Sequence, residues 1–156
     1  MRPVCTHQRK IVDFCSWRGL MVISGTRRSG GDDGHYFSAN KNDAGLWFGS
    51  VDDLWKFGQP VGQGGPWKET KVQAEAYSLP YLMTGYDKKK VQLIADKAVT
   101  ITVEVDFDHN GWHTFQSFPL QAGVPVDYAF PEGYSAHWVR VKADKDCVAS
   151  VQFVYS

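Results

Sequence analysis

Cysteine is sparse in this chain. Its 156 residues hold three, Cys5, Cys15 and Cys147. No two of them form a C-x-x-C pair, which argues against a zinc ribbon or a thioredoxin-like redox site. None has a histidine adjacent in sequence or a helix start to lower its pKa, so a reactive thiolate is not expected. Buried small apolar groups are the expected role, with a Cys5–Cys15 or Cys15–Cys147 disulfide left open for a secreted parent. Excess charge is missing too. Lys and Arg total 17 and Asp and Glu total 17, which argues against a nucleic-acid partner held by phosphate neutralisation. No apolar run approaches the ~20 residues of a membrane span, so no membrane partner is expected. The N-terminus, Met1 to His7, has no apolar core of the kind a signal peptide needs. Helical periodicity is nearly absent, with one weak stretch at Glu69 to Ala76. No Ser-His-Asp, Walker or G-x-G-x-x-G signature occurs, and no catalytic residue can be nominated.

What fills the chain is period two. Val99, Ile101, Val103, Val105 and Phe107 alternate strictly with polar residues, the pattern of a half-buried strand. Asp108-His109-Asn110-Gly111 follows, and Asn-Gly between two such runs predicts a hairpin over 99–118 with its turn at 108–111. Further alternating runs lie at Val91 to Ala95, Trp112 to Phe118, Val124 to Phe130, Ala136 to Ala143 and Cys147 to Tyr155. Turn residues separate these strands at intervals of roughly 8–12, which predicts an antiparallel β-sandwich of six to seven strands over 66–156.

The first 65 residues read as two hairpins. Ile11–Trp17 and Leu20–Gly25 flank the turn Arg18-Gly19, and Gly45–Ser50 and Leu54–Gly58 flank Val51-Asp52-Asp53. A polar, Gly-rich stretch, Thr26 to Asp43, joins them. Four short strands in this length match one β-propeller blade. The alternative is that they complete one larger sandwich with the strands downstream. Gln59 to Pro66 reads as a linker by composition. The class is therefore all-β: a blade-like piece over 1–65, then a sandwich.

Three blocks, GLWFGSVDDLWKFGQPVGQGGPWKET, PYLMTGYDKK and FPEGYSAHWVRVKADKDC, resemble the C-terminal region of large bacterial proteins. In those a propeller-like domain runs into a β-sandwich tail, and they occur beside polysaccharide-degrading enzymes. The resemblance spans about Ile11 to Tyr155. It implies a secreted or cell-surface parent and a link to glycans, and it assigns no residue a role.

Several constellations invite chemistry. Asp106-Phe107-Asp108-His109-Asn110-Gly111 spells the opening of a calcium loop, with Asp106, Asp108 and Asn110 as the ligand option. An EF-hand closes with a bidentate Glu at its twelfth position, and here that position is Ser117. A hairpin turn is the simpler reading. His109 and His113 are four apart, but on a hairpin they fall on opposite arms and need not converge on a metal. Aromatics are plentiful at 14%. In Ala136 to Ala143 the core face is His137, Val139, Val141 and Ala143, which leaves Trp138 on the outer face with Arg140 and Lys142. There a Trp can stack on an Arg, dock a neighbouring domain or hold a sugar ring. Trp112 and His113 at the hairpin mouth, and Trp67 after Gly-Gly-Pro, complete a candidate ligand set of Trp67, Trp112, His113, Trp138 and Arg140. The functional expectation is a non-enzymatic accessory or structural β-domain, with interdomain packing the favoured role of the exposed aromatics and a polysaccharide or glycan the candidate ligand. The alternative is part of a carbohydrate-active hydrolase or lyase whose active site lies mostly elsewhere. The N-terminal hairpins are apolar at almost every position, so a homo-oligomer or a missing N-terminal propeller is expected to cover them.

Overall fold

The structure is a computed structural model, and it describes residues 3–7, 9–27, 34–38 and 44–156. The protein is all-β, and the described residues form twelve strands in three antiparallel four-stranded sheets. It divides into two compact units, Val4–Pro60 and Val61–Ser156. No helix among the described residues is long and apolar enough to cross a membrane.

In the first unit β1 (Arg9–Trp17) and β2 (Leu20–Arg27) form the expected hairpin. Arg18 and Gly19 both take positive φ at its turn, as a two-residue turn of this hand requires. β3 (Tyr36–Ser38) and β4 (Ala44–Gly49) complete the sheet in the order β1-β2-β4-β3. Two features depart from expectation. The strand β3 rises inside the polar Gly-rich stretch, whose residues 28–33 and 39–43 lie outside the described ones. And Leu54–Gly58 is no strand, because Val51–Phe57 winds as a 3₁₀ helix. The cause is local. Ser50 and Asp53 form a capping box, with the Ser50 N–H donating to Asp53 Oδ2 at 2.8 Å. The S-x-x-D spacing is a helix-start signature that period-two reading overlooks. Lys56 donates to Asp53 Oδ1 at 2.8 Å, and this bond, more than those from Ser50, holds the Asp53 carboxyl well below its usual range. Phe57 then packs edge-on against Trp47, centroids 5.0 Å apart. Among the described residues of this unit, Val22, Ile23 and Trp47 are the buried apolar ones.

The second unit is a sandwich of eight strands. One sheet runs β10-β7-β12-β5 and the other β6-β11-β8-β9. Their ranges are β5 (Gly62–Val72), β6 (Tyr81–Leu82), β7 (Lys89–Ala95), β8 (Val99–Asp106), β9 (His113–Leu120), β10 (Val126–Ala129), β11 (Trp138–Ala143) and β12 (Cys147–Tyr155). Alternation does what it predicts: Ile101, Val103, Val139, Val141, Leu93 and Val151 all lie in the core at zero exposure. The strand count exceeds expectation mainly because the supposed linker begins β5, which continues through part of the supposed helix. Gly64 and Gly65 are there for close approach: a Cβ on Gly65 would sit 1.9 Å from the Val151 carbonyl, and one on Gly64 2.5 Å from the Tyr81 hydroxyl. Pro66 is tolerated because β5 is an edge strand. Glu69, at φ 48, falls where the register with β12 shifts.

The 99–118 hairpin is present, β8 pairing with β9 from Val99↔Leu120 to Val105↔His113. Its connection is longer than an Asn-Gly turn. β8 stops at Asp106, so Phe107 leaves the core face and is exposed, and His109 and Gly111 rather than Asn110 take positive φ. None of the three cysteines forms a disulfide; Cys5 is half-buried, Cys15 exposed and Cys147 buried.

Candidate binding site

The outer face of the β6-β11-β8-β9 sheet carries the residues that face selection singled out. Register sets Arg140 opposite Glu104, Lys142 opposite Thr102 and Trp138 opposite Asp106. Arg140 closes on its neighbour, with Nη2 2.6 Å and Nε 2.8 Å from Glu104 Oε2. Trp112 and Tyr77 both lie against the guanidinium, their ring centroids 4.4 Å and 3.7 Å from Cζ. The Tyr77 hydroxyl reaches Glu104 Oε1 at 3.4 Å. Covered in this way, Glu104 is only 8% exposed although it points away from the core. Lys142 pairs with Glu75 and lies near the Tyr77 ring; the hydrogen bond to Glu75 pushes its ammonium pKa up.

Of the expected set, Trp112 and Arg140 are brought together and Trp138 shares their face, half-buried. His113 starts β9 with its ring beside Phe107, centroids 5.9 Å apart. Trp67 belongs elsewhere. It is 6% exposed and lines a cleft of about 560 Å³ with Lys71, Tyr77, Asp96, Lys97 and Asp146. Tyr77 belongs to both places and connects them. Each cleft carboxylate is oriented by a backbone N–H, Asp96 by Val148 at 2.8 Å and Asp146 by Ala74 at 2.7 Å. A second concavity of about 530 Å³ crosses the outer face of the β10-β7-β12-β5 sheet, lined by Gln63, Lys90, Gln92, Asp127 and Gln152.

Asp106, Asp108 and Asn110 form the turn. Asp106 Oδ1 accepts from the N–H groups of Asp108 and His109, and Asp108 accepts from both nitrogens of Asn110. The Asn110 side chain and N–H lower the Asp108 pKa. Ser117, at the calcium-loop closing position, instead pairs with Thr102 across the strands at 2.9 Å. His137 was expected on the core face and is exposed, since β11 begins one residue later at Trp138. Sequence reasoning missed Tyr77, Glu104 and the charged residues of the cleft. Glu104 could have been found by pairing outward positions of the two strands. Tyr77 lies outside any strand and carries no periodic signal.

No family model matches the chain, and no curated protein matches it. Among solved structures, the crystal structure of dTDP-4-dehydrorhamnose 3,5-epimerase from Sulfolobus tokodaii is similar at 12% identity. That alignment covers 95% of this chain and 74% of that one, with a TM-score of 0.25. A likeness of that size carries no inference about activity.

Proposed function

We propose that the chain is a non-catalytic, saccharide-binding β-domain of a larger secreted or surface-attached bacterial protein, and that the ligand sits in the cleft beside Tyr77. One observation carries this reading: the cleft sets an exposed aromatic side chain, Tyr77, among oriented acceptors and cationic donors. A sugar offers an apolar C–H face and a ring of hydroxyls that both donate and accept. Tyr77, exposed at the cleft edge, suits the first, and Asp96, Asp146, Lys71 and Lys97 suit the second. The second carboxylate oxygen of each aspartate has no hydrogen-bond partner among the described residues, and neither does the Lys71 ammonium. The Arg140 cluster adjoins the cleft through Tyr77 and fixes that ring. The resemblance of the three sequence blocks supports the larger parent.

A glycan array followed by calorimetry tests this. Binding to a polysaccharide fragment should weaken about tenfold, or ~1.4 kcal/mol, in Tyr77→Ala and in Lys97→Ala. Absence of binding across neutral and acidic glycans overturns the ligand class. Release of reducing sugar that is lost on mutating one acidic residue overturns the non-catalytic part.

A further inference from the structure

His109 and His137 lie 28 positions apart, one in the connection after β8 and one just before β11. A single residue positions both. The Asp106 carboxylate accepts the His109 N–H at 2.7 Å, and the Asp106 carbonyl accepts the His137 N–H at 2.8 Å. Asp106 is itself 7% exposed. His109 is held at φ 67, a conformation non-glycine residues seldom adopt. The two exposed rings meet with His137 Nδ1 2.8 Å from His109 Nε2, at an interplanar angle of 70°.

Two imidazole nitrogens facing each other at this distance share one hydrogen. The same separation suits a metal ion once each exposed ring turns so that its inner lone pair leaves the line between the two nitrogens. Divalent cations of the borderline class bond imidazole at about 2.0–2.1 Å, so two nitrogens at right angles on one ion stand about 2.9 Å apart. We propose that His109 Nε2 and His137 Nδ1 form a two-histidine site for a divalent transition-metal cation. Cu²⁺ is bound first and Ni²⁺ and Zn²⁺ more weakly, following the general order of affinities. On binding, the hydrogen between the rings moves to the outer nitrogen of the ring that carried it, so both inner lone pairs face the ion. A neutral pair loses no proton. Among the described residues no group of three His, Cys, Asp or Glu is gathered to hold a metal, so the protein supplies two ligands and water the rest. Ca²⁺ and Mg²⁺, which select oxygen, are refused.

The test is titration of the full chain with Cu²⁺, Zn²⁺ and Ca²⁺, read by calorimetry and, for Cu²⁺, by electron paramagnetic resonance. The expected result is one Cu²⁺ per chain with nitrogen hyperfine structure from two imidazoles. His109→Ala and His137→Ala should each weaken binding at least about tenfold and leave one nitrogen in the spectrum, and His113→Ala should change neither. Both rings are exposed, so the variants should fold, which near-ultraviolet circular dichroism checks. No Cu²⁺ binding, a Cu²⁺ site unchanged by either alanine, or equal loss in His113→Ala overturns the proposal.

Discussion

Tyr155 stacks on Tyr86, centroids 4.4 Å apart, and on Phe153 at 5.7 Å, and its hydroxyl donates to the Leu82 carbonyl at 3.0 Å. It is 3% exposed. Burial pushes its phenol pKa far above the ordinary tyrosine value, with Tyr81 and Tyr86 adding to the rise. The neutral form is therefore favoured in the fold. Its contribution to stability is fully present below the unfolded pKa of ~10 and is lost as pH rises above that, because the unfolded chain then binds fewer protons. Urea stability should fall above about pH 10 with a slope approaching ~1.4 kcal/mol per pH unit, and Tyr155→Phe should flatten it. An unchanged slope in the variant would place the alkaline lability elsewhere. Arg140 gives a second expectation at this scale. Removing it leaves the mostly covered Glu104 carboxylate unpaired. Arg140→Met should cost about 2–3 kcal/mol in denaturant unfolding, below the full value of a buried pair because Arg140 is partly solvated. Adding Glu104→Gln should restore part of the loss, a coupling a double-mutant cycle reads directly.

At the scale of elements, β5 shows how chain flexibility and close packing can carry the same sequence signature. Its Gly-Gly-Pro start reads as linker, yet these glycines let the strand approach the Val151 carbonyl and the Tyr81 hydroxyl. Gly65→Ala should therefore destabilise the sandwich by about 3 kcal/mol or more, since the obstructing atom is backbone and cannot rotate away. A thermal unfolding midpoint within a degree or two of the parent's would refute that account. The elements that were legible were those whose burial on one face writes itself as alternation. β8 is the clearest, with Val99 to Val105 inward and its mate β9 announced by the intervening turn. The 3₁₀ helix at Val51–Phe57 was illegible to that method, because seven residues of mixed polarity show no period and only the Ser50–Asp53 spacing marks the start. β3 was hidden in a polar stretch because three residues are too few to alternate. The binding surface was half legible. Facing selection on β11 found Arg140 and Trp138, whereas the cleft is made of turn residues and strand ends brought together by topology.

At the scale of the whole molecule the two units are unequally covered. Val61–Ser156 buries both inner sheet faces around one continuous core. In Val4–Pro60, every residue of β1 from Lys10 to Trp17 is exposed, with Val12 at 74%, Phe14 at 69% and Trp17 at 51%. Among the described residues that strand is also a sheet edge, and over Lys10–Trp17 its own sheet pairs it on one side only. Natural edges of this length are usually blunted by charge, proline or a cover. Along β1 the charges are confined to Arg9, Lys10 and Asp13. Pairing with the same strand of a second copy would satisfy the edge and remove apolar surface from water together, which makes self-association the expected behaviour. Sedimentation velocity should show dimers or larger species near ~100 µM that dissociate on dilution. Phe14→Lys should abolish them, and because that side chain is exposed, unfolding stability should shift by no more than about 0.5 kcal/mol. A monomer throughout the concentration range would defeat the second-copy reading.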